Sequence, residues 1–174
     1  MEFNNEKFDL VEDFIDVGYM AENIEITDFN DETKEIKRSN QDQSMTLFIS
    51  FPDFSENFID EVKEVDEFIH DIQVATNCYF ILDSKESLNG QPHQFKKFTT
   101  VFDTEEEFGN MYGTKITSGT LTDKLTKALF LISKDGAIFY LDMPENVNNK
   151  LNLERLQAEL NKAYVSYTGV GCHG

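Results

Sequence analysis

The chain has 174 residues, 40% of them apolar, with 16 Phe and no Trp. That length and composition fit one folded domain with a sizeable core and exclude a disordered chain. Asp and Glu number 33 against 15 Lys and Arg, a formal net charge of −18. Such a charge repels nucleic acid and anionic membrane surfaces, so neither is an expected partner.

The acidity is spread along the chain, with a local peak at Glu105-Glu106-Glu107. It reads either as the solvated surface of a soluble protein or as a surface for a basic partner. No apolar run of about 18 residues occurs, so no spanning helix is expected. The start, Met-Glu-Phe-Asn-Asn-Glu, lacks the basic and apolar regions of a signal peptide. A cytoplasmic location with two reduced cysteines is therefore expected.

Phe8, Leu10 and Val11, then Phe14, Ile15 and Val17, suggest two short strands of an N-terminal hairpin. Asn23 to Asp28 alternates through Ile24 and Ile26 and reads as a strand. Phe29-Asn30-Asp31-Glu32 is turn chemistry, and Thr33 to Lys37 alternates back with Ile36 inward. Ser39 to Ser44 is a polar loop. Met45 to Phe51 is a nearly continuous apolar run, the pattern of a strand buried on both faces. Pro52 ends it, because proline has no N–H for the ladder. Ser55 is suited to cap a helix whose apolar stripe is Phe58, Ile59, Val62, Val65, Ile69 and Ile72. Asp60, Glu61, Glu64 and Glu67 are expected to face away.

Asn77 to Leu82 reads as a second buried strand. Ser84 to Gln94 is polar, with at most a short helix. Phe98 to Phe102 is a brief strand, Glu105 to Met111 a short acidic helix, and Tyr112 to Asp123 a loop. Ala128 to Ile132 is another apolar strand. Lys134-Asp135-Gly136 turns it back into Ile138 to Met143. Leu151 to Tyr164 is amphipathic through Leu153, Leu156 and Leu160. The order predicts an α/β mixed sheet with helices on both faces.

Several segments carry a resemblance. Val17-Gly18-Tyr19-Met20-Ala21-Glu22-Asn23-Ile24 resembles Val-Gly-Asp-x-Ala-Pro-Asp-Phe, with Glu22 in place of the proline. Phe51-Pro52-Asp53-Phe54-Ser55-Glu56-Asn57-Phe58-Ile59 resembles Phe-Pro-Ser-Ile-Asp-Thr-x-Val-Cys. Glu107 to Gly113 resembles a Phe-x-x-x-Tyr-Gly segment, and Thr126 to Ile132 resembles Ala-Arg-Ala-Val-Phe-Val-Ile. The turn Lys134-Asp135-Gly136-Ala137-Ile138 follows in its expected place. From about Val17 to Ala163 the chain thus resembles the thiol peroxidase branch of the peroxiredoxin family.

That resemblance implies a thioredoxin-like, peroxiredoxin-type central sheet flanked by helices, with an N-terminal β-hairpin. It implies one domain over residues 1–165 and a homodimer, and the Gly-bearing residues 166–174 read as a flexible C-terminal tail. In the family, a peroxidatic Cys sits in the first helical turn, where the helix N-terminus and an Arg stabilise its thiolate. Here the Cys position matches Ile59, the peroxide-positioning Thr matches Glu56, and the Arg matches Lys127. Only Pro52 survives from the core of the motif, and no Cys lies between Ser84 and Thr100 to act as a resolving thiol. The resemblance therefore implies a degenerate site, and a Glu56–Lys127 pair would explain the acid there.

Cys78 lies inside an apolar strand and reads as a buried structural thiol. Cys172 and His173 read as incidental residues of a terminus, as a thiol site, or as two ligands of a metal site that needs more. His70 and His93 read as surface residues. Glu56, Asp60 and Glu61 near the helix start suit the dipole and read as capping and solvation, with a small-ligand or metal site as the other reading. No catalytic triad, P-loop or dinucleotide motif is present, and no cofactor is implied. Two functions follow: a binding protein that has lost peroxidase activity, acting on an unknown protein or small molecule, or a thiol-dependent oxidoreductase that uses Cys172.

Overall fold

The computed structural model describes residues 1–72, 74–91 and 94–168. His93, Cys172 and His173 lie outside the described residues.

The first element is a hairpin, β1 (Glu2–Phe3) against β2 (Glu6–Lys7). Asn4 and Asn5 form its turn with φ of +49° and +67°. Two positive φ values suit the two-residue hairpin turns that asparagine tolerates. The expected hairpin is therefore present but lies earlier than the apolar residues suggested. Phe8 and Ile15 point into the core, and Leu10 makes one isolated bridge to Ile116. Residues 8–17 form no hairpin, because their backbone pairs with the distant 115–117 segment instead.

β3 (Ile24–Thr27) and β4 (Thr33–Ile36) form the second hairpin. The Asp28 carboxylate closes it by accepting from the Asn30 and Glu32 N–H groups. β5 (Met45–Ser50) leads through the Pro52 turn into α1 (Ile59–Ile72) and β6 (Thr76–Leu82). A single 3₁₀ turn, Lys85–Leu88, precedes β7 (Thr99–Phe102). α2 (Glu107–Met111), β8 (Ala128–Ile132), β9 (Ile138–Asp142) and α3 (Leu153–Thr168) complete the chain. α2 and α3 each start two residues later than the sequence suggested, and α3 runs beyond Tyr164.

The seven-stranded sheet has the order β4-β3-β7-β6-β5-β8-β9. β5, β6 and β7 run parallel, and β8 lies antiparallel to β5. Alternation along the central strands fills two cores. Met45, Leu47 and Ile49 of β5, with Leu129 and Leu131 of β8, meet α1 and α3 on one face. Phe48, with Ala128, Phe130 and Ile132, meets Phe108 and Tyr112 of the α2 region and the chain at Ile15 and Ala21. Both faces are covered, which is why these strands read as continuous apolar runs. β5 ends in the middle of the sheet, and the turn that follows it lies at the carboxyl end of the parallel strands. No helix among the described residues is long and apolar enough to cross a membrane.

Candidate functional site

The turn after β5 is built from its own polar side chains. Asp53 Oδ1 accepts from the Ser55 N–H at 3.0 Å, and Ser55 Oγ accepts from the Asn57 N–H at 3.3 Å. The Ser55 carbonyl then accepts from Phe58 and Ile59. Ser55 therefore organises the turn, and the regular helix begins at Ile59. The Phe54 N–H donates to the Ser87 carbonyl at 2.7 Å and fixes the turn to the 3₁₀ segment. Phe54 also packs between the rings of Phe80 and Phe95, and Phe58 between those of Phe3 and Phe51. Aromatic packing on both sides leaves the turn little freedom.

Ile59 is the first residue of α1 and is half-buried against the main core. Pro52 is buried at the end of β5, and Glu56 is exposed on the turn. Lys127 is not beside Glu56. It is 1% exposed, and its Nζ donates to Glu61 Oε1 and, at 2.8 Å, to the Asn149 carbonyl. The other Glu61 oxygen accepts from the Leu151 N–H at 2.7 Å. The Lys127 ammonium also lies 5.5 Å from the Phe51 ring centre and 5.9 Å from that of Phe58. Burial lowers the Lys127 pKa, and the Glu61 carboxylate works against that shift.

Two expectations are thereby corrected. Glu56 and Lys127 form no ion pair, because Lys127 enters the sheet at β8 and reaches inward to α1, whereas Glu56 stands on the solvent side of the turn. Glu61 does not face away. It is buried on the inner face of α1, and only Asp60, Glu64 and Glu67 of that set are exposed. The reason is visible in the helical spacing. Glu61 precedes Val65 by four residues, and Asp66 follows Val62 by four, so both lie on the apolar stripe.

Asp66 was not singled out from sequence, yet it is buried and accepts from the N–H groups of Lys96, Lys97 and Phe98. Asp103 is a third such carboxylate. It is buried at the end of β7 and accepts from Phe108 and Gly109 at the start of α2. Burial pushes the Asp103 carboxyl up to about 7. With Asp83, Glu106, Lys115 and Asp123 it lines a cavity of about 230 Å³ beside the carboxyl ends of β6 and β7. Lys115 pairs there with Glu106 at 3.0 Å. Among the described residues, no group of three or more His, Cys, Asp and Glu side chains is placed to hold a metal. Cys78 is buried in β6, and burial raises its thiol to about 11, as a structural cysteine requires. His70 is exposed on α1.

The chemistry available at the turn follows from these positions. Peroxide reduction needs a thiolate lone pair to attack the O–O bond, giving a sulfenic acid and an alcohol or water. Ile59 offers no lone pair. The buried cation nearest the start of α1 is already committed to a carboxylate and a carbonyl.

No protein-family model and no curated protein sequence matches the chain. Solved structures do. A peroxiredoxin-like protein from Aquifex aeolicus superposes with a TM-score of 0.79 at 17% identity, covering 94% of this chain and 96% of its own. A thiol peroxidase from Chromobacterium violaceum gives 0.78 at 15% identity, with coverage of 94% and 96%. The mitochondrial 2-Cys peroxiredoxin from Plasmodium falciparum gives 0.63 at 15% identity, covering 88% and 96%. The likeness extends over nearly the whole chain and establishes a peroxiredoxin-type, thioredoxin-like fold.

Proposed function

We propose that this chain keeps a thiol-peroxidase fold without the peroxidase reaction at the Pro52–Ile59 turn, and that it works by binding a protein or small-molecule partner. The observation that carries this reading is the aliphatic side chain of Ile59 at the first residue of α1. In the relatives the sequence resembles, that position holds the attacking thiolate. The Lys127–Glu61 pair supports it, since a cation held inside by a carboxylate and a carbonyl is not free to stabilise a thiolate. A cytoplasmic location and pairing with a second copy across the loops flanking this turn belong to the same proposal.

The test is consumption of hydrogen peroxide and an alkyl hydroperoxide with a dithiol reductant, for the wild type and for Cys172→Ser. No turnover by either protein is the expected result. Rapid turnover by the wild type, lost in Cys172→Ser, would overturn the proposal in favour of a thiol-dependent oxidoreductase using Cys172. Turnover retained in Cys172→Ser would overturn it as well. Sedimentation of the native protein reads the pairing.

A further inference from the structure

One surface away from the turn is built for an occupant. Eight large apolar side chains are well exposed among the described residues, and four of them, Phe14, Val17, Tyr19 and Met20, fall in one short segment. This segment is not loose. The Val11 N–H donates to the Lys115 carbonyl, Gly18 and Tyr19 exchange hydrogen bonds with Ile138, and the Ala21 N–H donates to Gly136. Ile15 and Ala21 anchor it in the core. The four apolar side chains are thus held outward by a fixed backbone. Phe14 sits against Gly113, just past the end of α2, where Met111 is also exposed.

The charges carried by the segment itself have one sign. Residues 9–22 contain Asp9, Glu12, Asp13, Asp16 and Glu22 and no Lys or Arg. None of the five forms an ion pair among the described residues. An open groove of about 750 Å³ is lined by the residues that precede Phe14 in the chain, Asp9 to Asp13, together with Asn110 and Thr117. Lys115, whose backbone pairs with Val11, turns its ammonium away to Glu106 and Asp123. Arg38 stands at the far edge, where its Cγ and Met20 Cε both cover Gly136.

We propose that the Phe14–Met20 segment, together with the acidic groove lined by the residues just before it, is a docking surface for a basic amphipathic peptide segment of a partner protein. Apolar side chains of the partner would cover Phe14, Tyr19 and Met20, while its Lys or Arg residues meet Asp9, Glu12, Asp13 and Asp16. Exposed apolar patches rimmed by polar residues mark interaction sites, and complementary charge sets the partner and the register. Charge also argues against a second copy here, since a two-fold contact would bring the same carboxylates face to face. The surface stands apart from the Pro52–Ile59 turn and does not depend on whether that turn is catalytic.

The chain has no Trp, so a probe peptide can carry the only fluorophore of that kind. The probe is a short synthetic helix with lysine on one face and leucine plus one tryptophan on the other. Saturable binding is expected, weakened about tenfold by Phe14→Ser or Tyr19→Ser and about tenfold by the double change Glu12→Gln/Asp13→Asn, a tenfold loss being about 1.4 kcal/mol. The double change Glu35→Gln/Glu154→Gln removes the same charge at exposed sites elsewhere and is expected to leave affinity unchanged. Circular dichroism confirms that each variant is folded. Equal weakening by the remote changes, equal binding of a glutamate-for-lysine probe, or no saturable binding would each overturn the proposal. So would a wild-type dimer that Phe14→Ser dissociates, which would give the surface to a second copy.

Discussion

The buried pair Lys127–Glu61 offers the sharpest test of how this site is held. Lys127→Met keeps most of the side-chain volume and removes the cation. It leaves the Glu61 carboxylate, 10% exposed at the side chain, with the Leu151 N–H and no counter-charge. It also strands the Asn149 carbonyl, which now takes a hydrogen bond from Nζ. Breaking a buried pair from one side costs about 3–5 kcal/mol, because the remaining charge is desolvated and uncompensated. For a chain of this size each kcal/mol moves Tm by about 2–4 °C, so a fall of about 6–20 °C is expected. Adding Glu61→Gln should recover most of the loss. The amide oxygen still accepts from Leu151, and no buried charge remains. Guanidinium unfolding of the wild type, both single variants and the double variant gives the coupling energy, expected at about 2 kcal/mol or more. A loss below about 1 kcal/mol for Lys127→Met, with no coupling, would refute the reasoning. The pair would then behave like a solvated surface bridge, and Lys127 would be free to act at the turn.

Asp103 provides a pH test. Its folded value of about 7 lies above the ordinary 3.8, so the stability it contributes is complete below the ordinary value and is lost as pH rises through about 7. Asp103→Asn should flatten the fall in unfolding midpoint across that window, and carbon-detected NMR should place the carboxyl titration near 7; titration below 4 would mean that the N–H groups of Phe108 and Gly109 outweigh burial. Gly113 has φ of +71°, and an added Cβ would lie 2.6 Å from the Asp13 carbonyl oxygen and 2.9 Å from Phe14 Cα. Gly113→Ala should therefore cost about 2–3 kcal/mol in denaturant unfolding, from left-handed strain plus backbone displacement, and a loss below about 1 kcal/mol would show that the Phe14 segment yields freely.

What the sequence determined by itself was the architecture. The unbroken apolar run of Met45 to Phe51, stopped by Pro52, specified a central strand buried on both faces, because only such a strand tolerates no polar alternation. A helix capped by Ser55 followed from the same stretch, and so did the absence of a nucleophile at Ile59. The regular helix starts only at Ile59, because Ser55 first organises a turn. The buried character of Cys78 was legible for the same reason. The N-terminal hairpin was legible as a kind of element but misplaced. Asn4-Asn5 carried its turn, while the apolar residues Phe8 to Val17 were committed to distant partners.

Only the tertiary structure decided which charge meets which. Glu61 was read as facing away because of its charge, although it stands four residues before Val65 on the buried stripe. The cation that reaches it, Lys127 just before β8, is what makes its burial possible. The 66-residue separation of that pair is closed by strand order, with β8 beside β5 and β5 leading into α1. Asp66 has a like explanation, since the N–H groups that hold it come from Lys96 to Phe98, about thirty residues on, whereas Asp103 is held locally by Phe108 and Gly109. Exposure of Phe14, Val17, Tyr19 and Met20 was equally out of reach. Sequence suggested only short strands around Phe14 and Val17, and it is the tertiary backbone pairing with Ile138 and Lys115 that leaves these side chains at the surface.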